Sequence, residues 1–400
     1  MKHQKITNIL TVVLFVLPLA LGLILFVALP DSSFSEQENR PLQTFPKLSL
    51  TSLTEGKFGG QMNSYFADQF PARDALVGIK GIAELALGKG ENNGVLLCKD
   101  GQLAVRWFDV LLDARTRVED TDFYSKDLID GQTDALNALA AELAAQNIPL
   151  TLIVPPRTVD VVGTQTRYPT RNISAFWADL EAGLGSDVQY LDLTETFQSA
   201  YQSGEYVYYR TDHHWTTKGA YMAYQGLMKQ WGMEQDVIPV SDDIETVRDF
   251  YGTTWSRAGL KFVAPDQIEI WHYEGENDYT VTNPQTGESF DGFYNRDYLS
   301  KKDKYSVFLD GTHPILTVTK NTTEQRKTLL VLKDSFFNSM APFLAEHYDL
   351  VVMDLFQGLR GISLCDLIEQ YGCDGVLIVY NAENIIISNS LATLQYRVQK

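Results

Sequence analysis

The chain opens on a long apolar run. Residues Ile6 to Leu29 are almost wholly apolar and carry no charge, and as a helix they would extend about 36 Å, enough to cross a bilayer with some tilt. Lys2 and Lys5 precede this run, and the first acidic residue of the chain, Asp31, follows it. Because positive flanks stay in the cytoplasm, the pattern predicts a single-pass helix in the cell membrane with the C-terminal domain extracellular.

A cleaved signal peptide is the alternative interpretation of this run. Signal peptides have shorter apolar stretches and end at a small-residue cleavage site, whereas this run ends in Val27-Ala28-Leu29-Pro30. We therefore expect residues 1–30 to remain attached as a cytoplasmic stub and transmembrane anchor, and we keep cleavage as the alternative.

After the anchor, the pattern changes to linker and then to regular alternation of helices and strands. Asp31 to about Leu53 is rich in Pro, Ser and Thr and is typical of a linker, and Gln61 to Ala86 has helical spacing. The predicted strands are Pro149–Val154, Val188–Leu193, Tyr206–Tyr209, Thr328–Leu332, Leu350–Phe356 and Gly375–Tyr380. The predicted helices are Ser125–Gln146, Ile173–Leu184, Thr217–Trp231, Phe336–His347 and Leu364–Tyr371. Apolar strands separated by helices predict an α/β domain with a mostly parallel sheet and helices on both faces.

Residues of about 233–325 interrupt this alternation. The segment is rich in turn pairs such as Asn283-Pro284 and Asp291-Gly292, with short aromatic runs typical of strands between them. We interpret it as a β-containing insertion packed on the core. The predicted organisation is an anchor at 1–30, a linker and helical segment at 31–90, and an α/β domain at 91–400 that contains the insertion.

Composition and charge exclude several classes of protein. The chain has 33 basic and 51 acidic residues, a net charge of −18, with 44% hydrophobic residues. The hydrophobic fraction excludes a disordered tail, and the acidic excess argues against a nucleic-acid partner, since phosphate backbones need positive charge at the contact. The three cysteines, Cys98, Cys365 and Cys373, lack the spacing of a zinc site, so we expect no metal and no cofactor.

Polar residues follow several of the predicted strands. Ligands bind beyond the carboxyl ends of the strands of a parallel sheet. The residues predicted there are Arg210 to Trp215 after the first aromatic strand, Lys333-Asp334-Ser335 after Thr328–Leu332, and Asn381 after Gly375–Tyr380. A serine, a histidine, a carboxylate and an amide from distant parts of the chain are thereby expected at one edge.

This set of side chains is suited to acyl transfer. Ser335 is predicted at the start of a helix, where free N–H groups and the helix dipole favour the negative charge of a tetrahedral intermediate. A serine hydroxyl needs a base to become a nucleophile. Asp212 and His214 are two residues apart, so in an extended segment they would lie on one side, and the carboxylate would orient the imidazole.

Other interpretations of the same residues stay open. Ser335 would also suit a simple helix N-cap, and Asp212, His213 and His214 are potential metal ligands. Against a metal, neighbouring strand residues point to opposite faces, so His213 and His214 would rarely share one ion. Four residues near the predicted triad are further candidates for contacts with the substrate or the oxyanion: Asn381, Trp215, Arg210 and Tyr209.

The segment Tyr209-Arg210-Thr211-Asp212-His213-His214-Trp215-Thr216-Thr217-Lys218-Gly219-Ala220 resembles the signature of the DHHW family of bacterial surface proteins. That family is similar to the alginate O-acetyltransferase proteins, which have an SGNH-hydrolase-like domain. The resemblance extends to four further stretches: Glu38-Asn39-Arg40-Pro41, Asp68 to Arg73, Asp249-Phe250-Tyr251-Gly252-Thr253 and Lys333-Asp334-Ser335-Phe336.

The resemblance implies a fold and roles for particular residues. It implies an SGNH-like fold and a triad of Asp212, His214 and Ser335. Lys333 stands where the acetyltransferase relatives carry glycine, and His213 stands where they carry a smaller residue. It also implies transfer of acetyl groups onto or off an extracellular polysaccharide, with a membrane-bound O-acyltransferase partner supplying acetyl.

The sequence therefore leads to one main hypothesis and two alternatives. The main hypothesis is a membrane-anchored extracellular serine O-acetyltransferase or acetylesterase that acts on a polysaccharide of the cell envelope. The alternatives are a non-catalytic glycan-binding or assembly protein that uses aromatic side chains such as Trp215 and Tyr209, and a metal-dependent hydrolase centred on Asp212 and His214.

Overall fold

A computed structural model describes residues 2–35, 40–105, 126–162, 174–357, 363–388 and 390–394. Glu38, Asn39, Ser125 and Ile173, which fall within stretches named above, lie outside the described residues. The chain divides into two compact units. The first unit comprises Met1–Asn92 and Ser256–Phe262, and the second comprises Asn93–Trp255 and Val263–Lys400.

The first unit is mainly helical. Its helices are α1 (Lys2–Ala28), α2 (Leu50–Thr54), α3 (Lys57–Asp68) and α4 (Arg73–Ala86), and its short strands are β1 (Phe34–Ser35), β2 (Arg40–Pro41) and β3 (Glu91–Asn92). Within α1, Ile6–Ala28 is long and apolar enough to cross a membrane, and a signal sequence would share those features. The predicted single helix Gln61–Ala86 is wrong, because Pro71 lacks an N–H and Ala72 has a φ of 55°, which together separate α3 from α4.

The second unit carries the large sheet. Its strands are β4 (Val95–Leu97), β5 (Leu103–Val105), β6 (Leu150–Val154), β7 (Val188–Asp192), β8 (Asp243–Phe250), β9 (Asp266–His272), β10 (Tyr279–Thr282), β11 (Ser289–Asp291), β12 (Ile315–Lys320), β13 (Lys327–Lys333), β14 (Tyr348–Asp354) and β15 (Gly375–Val379). The α-helices that follow α4 along the chain are α5 (Lys126–Ala144), α6 (Thr158–Val162), α7 (Ser174–Gly183), α8 (Thr194–Gln202), α9 (Thr217–Gln230), α10 (Thr253–Ala258), α11 (Ala341–Ala345), α12 (Leu364–Tyr371) and α13 (Ala382–Ile387).

Eight strands form the main sheet in the order β11-β10-β12-β14-β13-β15-β6-β7. The five strands from β14 to β7 are parallel, and β11, β10 and β12 join antiparallel. Successive residues of β13 enter opposite cores, with Val331 in one buried cluster and Leu332 in the other, as expected for a sheet covered on both faces. The mixed α/β fold with a mostly parallel central sheet is therefore confirmed.

Residues 233–325 supply strands in two places. Within this segment, β8 and β9 pair with each other as a separate two-stranded sheet, and β10, β11 and β12 extend the main sheet at its antiparallel end. The segment thus adds β-structure to the domain, whereas its interpretation as an insertion, with the predicted boundaries, stays a prediction.

Two predicted elements near the candidate site are wrong. Tyr206–Tyr209 is not a strand of the main sheet, because its ladder is a single bridge between Tyr208 and Trp215. The chain instead turns back on itself, with Tyr209 N–H donating to the carbonyl of His214. Its aromatic side chains are buried by tertiary packing, which mimics the signal of a strand. Phe336–His347 is not one helix, because a 3₁₀ helix, Ser335–Ser339, precedes α11, where Pro342 near the N-terminus cannot donate to the preceding turn.

Candidate active site

Ser335 stands directly after the carboxyl end of β13, at the first position of the 3₁₀ helix. Asp334 fixes this turn: its N–H donates to the carbonyl of Val379 at 3.0 Å, and its carboxylate accepts from the N–H groups of Phe336 at 3.0 Å and Asn381 at 2.7 Å. Burial raises the pKa of Asp334. The 3₁₀ helix has five residues, so individual N–H groups, rather than the dipole of a long helix, determine the field at Ser335.

The turn that carries the histidines is held by a buried carboxylate on β9. Asp266 accepts hydrogen bonds from Thr211 N–H at 2.7 Å, from the Thr211 hydroxyl at 2.6 Å and from Arg210 N–H at 3.1 Å. The Tyr206 hydroxyl donates to the same carboxylate. Burial raises the pKa of Asp266. These bonds determine the path of the backbone immediately before Asp212.

The structure brings Asp212, His214 and Ser335 together. His214 Nε2 lies 2.6 Å from Ser335 Oγ, and His214 Nδ1 lies 2.5 Å from Asp212 Oδ1. The backbone N–H of His214 also donates to Asp212 Oδ1, at 3.1 Å. Asp212 and His214 are almost fully buried, at 1% and 5% exposure. A hydroxyl, an imidazole and a carboxylate thus form one hydrogen-bonded chain in the order of a serine triad.

Residues of the Asp249–Thr253 stretch hold the second oxygen of Asp212. Thr253 donates to Asp212 Oδ2 through its N–H at 2.7 Å and its hydroxyl at 2.9 Å. Burial alone would raise the pKa of Asp212, but the imidazoles of His214 and His213, with the hydrogen bonds from His214 and Thr253, hold that pKa well below its usual range. Asp212 is therefore an ionised carboxylate with every bond aimed at orienting it.

Gly252 packs against the same carboxylate. A Cβ atom at position 252 would lie 2.3 Å from Asp212 Cβ and 2.4 Å from Asp212 Oδ2, so only glycine fits there. The site residues Gly252 and Thr253 were not identified from the sequence. The signal that points to them is the Asp249–Thr253 stretch of the family resemblance, to which no role was attached.

Tyr305 is a further site residue that was not identified from the sequence. It is buried, its hydroxyl donates to the carbonyl of Ser335 at 3.2 Å, and it lies 3.0 Å from the Ser339 hydroxyl. Burial raises the pKa of Tyr305, so its hydroxyl stays protonated. No motif marks Tyr305, because it lies in the segment 233–325 with its own irregular pattern.

Two of the weaker candidates are buried. Trp215 is fully buried, and its indole N–H donates to the Phe336 carbonyl and the Ser339 hydroxyl, both at 3.0 Å. Tyr209 is also fully buried and packs edge-on against Tyr305, with 6.2 Å between the ring centroids. Both aromatic rings therefore support the turn from within, and neither offers an open face to a sugar.

The other two weaker candidates have their polar groups placed differently. Arg210 is exposed, with its guanidinium 4.9 Å from the centre of the Tyr206 ring. The amide of Asn381 is engaged at both ends: Oδ1 accepts from Glu383 N–H at 2.8 Å, and Nδ2 donates to the Pro155 carbonyl at 3.3 Å. Asn381 thus caps α13, and only its backbone N–H reaches the serine turn, through Asp334.

Asp212, His213 and His214 offer ligand atoms within 4.8 Å of one another, a spacing that can hold a metal ion. The sequence argument that the two imidazoles point apart is wrong, because the segment is a turn and their ring centroids are 3.9 Å apart. His213 Nδ1 lies 2.8 Å from the Thr253 hydroxyl, and burial with the neighbouring His214 lowers the pKa of His213 to about 4. Both nitrogens of His214 have partners, so an ion here would compete with the bonds to Asp212 and Ser335.

Lys333 has its charge satisfied away from the serine. Its ammonium lies 3.2 Å from Asp354 Oδ2 on the adjacent strand β14, and both side chains are buried. Burial lowers the pKa of Lys333, against the opposing effect of Asp354. Asp354 in turn accepts from the N–H groups of Phe356 and Gln357, at 2.9 and 3.1 Å. The lysine that departs from the relatives' glycine therefore secures the loop after β14.

Comparisons with known proteins agree with this fold. A DHHW family protein from Eubacterium siraeum shares 18% identity, with 78% of this chain and 97% of that chain covered and a TM-score of 0.57. PatB1 from Bacillus cereus shares 18% identity over 74% of this chain and 98% of that chain, with a TM-score of 0.57. The O-acetyltransferase domain of AlgJ from Pseudomonas putida shares 15% identity over 76% and 99%, with a TM-score of 0.45.

No curated protein matches the sequence. At the sequence level, the description of the DHHW protein family matches residues 122–353. That range includes the turn with Asp212 and His214, the clamp at Thr253, the stacked Tyr305 and the serine turn at Ser335. Since the match extends over more than half of the chain, this protein belongs to the DHHW family.

Proposed function

We propose that this protein is a membrane-anchored serine acyltransferase or acylesterase in which Ser335 is the nucleophile, His214 the base and Asp212 the group that orients the base. The observation that carries the proposal is the distance of 2.6 Å between Ser335 Oγ and His214 Nε2. A serine used only as an N-cap would bond to backbone N–H groups, and in this turn Asp334 performs that capping.

The proposed reaction has two steps. Ser335 Oγ attacks the carbonyl carbon of an acyl donor while His214 Nε2 takes its proton, and His214 then passes the proton to the leaving group as the donor bond breaks. An acyl-serine remains. The hydroxyl of an acceptor next gives its proton to His214 and attacks the acyl carbon, which releases Ser335 and forms the new ester. Water in place of the acceptor makes the same site an esterase.

We assign the N–H of Ser335 as a donor to the oxyanion. In this turn the Phe336 N–H is taken by the Asp334 carboxylate and the Phe337 N–H, at 3.2 Å, by the Asp334 carbonyl. Within the described residues, the Ser335 N–H has no such acceptor, so it is left to face the charge that develops on the acyl oxygen. A donor of this kind typically contributes about 3 kcal/mol to the barrier reduction.

The substrate class rests on the family resemblance. It supports acetyl as the acyl group, an extracellular polysaccharide as acceptor and a membrane-bound O-acyltransferase as the partner that supplies acetyl. Helix α1 supports attachment to the cell membrane, with the second unit outside. The proposed chemistry needs no cofactor.

Metal-dependent hydrolysis is the second candidate, favoured by the cluster of Asp212, His213 and His214. The two candidates differ in their response to chelation. The serine mechanism keeps its activity in excess chelator, whereas the metal mechanism loses it and recovers when Zn²⁺ or Mn²⁺ is restored.

The experiment compares the full chain in detergent with two variants, Ser335→Ala and the exposed-serine control Ser300→Ala. Each protein is mixed with a chromogenic acetyl ester and with an aryl sulfonyl fluoride, and the intact mass is recorded. We expect ester turnover and a single covalent adduct in the parent and in Ser300→Ala, and neither in Ser335→Ala. An adduct that persists in Ser335→Ala rejects the proposed nucleophile.

A further inference from the structure

Exposed apolar side chains are concentrated in the first unit. Outside the apolar run of α1, residues 45–87 expose ten large apolar side chains, whereas the described residues of the whole second unit expose three, Val240, Ile244 and Phe356. Soluble surfaces rarely carry so many apolar groups together, and such patches mark contacts with membranes or proteins. The first unit therefore has a surface suited to a non-aqueous partner.

Helix α4 shows that this surface is organised. Leu76, Ile79 and Ile82 recur every three residues, so they lie on one side of the helix, and about half or more of each side chain is exposed. The buried positions of α4 are Gly78 and Gly81, which pack against other parts of the first unit. The apolar side of α4 is thus not the side that α4 uses to join its own unit.

Contacts with α1 set the depth of α3. The ring of Phe26 lies 5.7 Å from the ring of Tyr65 and 5.5 Å from that of Phe66. Further back along α1, a Cβ atom at Gly22 would lie 3.6 Å from Phe70 Cζ. Gly22 precedes the end of the apolar span by six residues, which is about 9 Å along a helix. The C-terminal half of α3 therefore runs beside the last turns of the span.

We propose that residues 45–87 form a collar, helices α2 to α4 with the chain before them, that is embedded in the outer leaflet of the membrane crossed by α1. The proposal rests on the anchor proposed above. If Ile6–Ala28 fills the hydrocarbon layer, Phe66 and Phe70 lie at the depth of lipid tails, and the exposed side of α4 meets the acyl–headgroup boundary.

The charges of the collar fit this environment. Lys80 and Lys89 both pair with Glu84, at 3.5 and 2.8 Å, and Arg40 pairs with Asp68 at 2.6 Å. Long basic side chains at a membrane surface bury their stems and extend their charges to the headgroups. Lipid is favoured over a protein partner because the contacts with α1 place the collar at this depth before any partner binds.

The test uses the full chain reconstituted in vesicles of phosphatidylcholine and phosphatidylglycerol. In a Cys365→Ser background, Cys98 and Cys373 are buried and burial raises the pKa of each thiol to about 12, so they resist labelling. Single variants Ile79→Cys and Lys80→Cys then carry a nitroxide, with Leu14→Cys as a reference within the span. Relaxation by oxygen, which dissolves in lipid, is compared with relaxation by a water-soluble nickel chelate.

We expect oxygen to dominate at position 79 and the nickel chelate to dominate at the neighbouring position 80. Equal access of nickel to both positions, with oxygen dominant at position 14, overturns the collar while the anchor stands. Nickel access at position 14 instead rejects the anchor itself. Nickel access at position 79 in pure vesicles but protection in native membranes assigns the surface to a protein partner and also overturns the proposal.

Discussion

The ring of Tyr305 lies face to face with the imidazole of His214, with 3.9 Å between the ring centroids and 8° between the planes. The same tyrosine donates its hydroxyl to the carbonyl of Ser335. One side chain thus touches both the proposed base and the backbone of the proposed nucleophile. Its ring fixes the imidazole plane, and its hydroxyl fixes the turn that presents Ser335 Oγ.

Tyr305 should therefore act as a positioning residue with two separable contributions. Tyr305→Leu removes the stacked face, and since aromatic stacking contributes about 1 kcal/mol, we expect the rate of acetyl-ester hydrolysis to fall about tenfold or more. Tyr305→Phe keeps the stack and loses the hydroxyl bond. It should retain more activity than Tyr305→Leu at equal thermal stability. Equal losses in the two variants would show that the stack does not matter.

The close approach at Gly252 gives a second prediction. In Gly252→Ala, the added methyl group would collide with Asp212, so the carboxylate must move away from His214. A displacement of about 1 Å near the reacting groups can cost about 100-fold in rate, and steady-state kinetics on the acetyl ester measures it. The matched control is Gly131→Ala in α5, where nothing lies within 4 Å; it should keep full activity and gain stability by about 0.5–1 kcal/mol.

The hydroxyl of Thr253 gives a third. Thr253→Val keeps the shape and the backbone N–H but removes the donor to Asp212 Oδ2. Hydrogen bonds to a charged group contribute about 1.5–3 kcal/mol, so we expect a roughly tenfold or greater fall in kcat with little change in KM. Thr253→Ser restores the hydroxyl and should recover most of the activity. If serine fails to rescue, the methyl group rather than the hydroxyl is what matters.

The sequence located the pair Asp212 and His214 because they are close in the chain, and Ser335 because it follows an apolar strand at the start of a turn. It did not locate Tyr305, Thr253 or Asp266. These residues meet the triad across 30 to 55 positions of chain, and no periodicity encodes such a meeting. Their residue types are also common on ordinary surfaces.

The misassigned strand Tyr206–Tyr209 has a related cause. Aromatic residues in a short run favour a pleated, half-buried strand, but here they are buried by tertiary packing around a turn. Tyr208, for example, packs edge-on against Phe197. The prediction that Asp212 and His214 face Ser335 was therefore reached from a strand that does not exist, and the turn brings them together instead. Local pattern identifies burial but not which element provides it.

The buried pair Lys333 and Asp354 gives a prediction about stability. Lys333→Met leaves the Asp354 carboxylate buried without its cation, which should cost about 3–5 kcal/mol in the free energy of unfolding. The double variant Lys333→Met/Asp354→Asn removes both charges, and its amide oxygen can still accept from Phe356 and Gln357. Urea denaturation should show the double variant well above the single one. A double variant no more stable than Lys333→Met would mean that the loop needs the ion pair itself.

His213 gives a prediction about pH. Its pKa is about 4 in the folded protein and about 6.5 in an unfolded chain, so on acidification through this range the unfolded state binds a proton before the folded state does. The free energy of unfolding must then fall as the pH drops from about 6.5 towards 4. Since 36% of the His213 side chain is exposed, solvent weakens the effect. His213→Asn should flatten this part of the stability profile measured by urea denaturation at pH 7 and pH 5, whereas parallel profiles for the two proteins would contradict the lowered pKa.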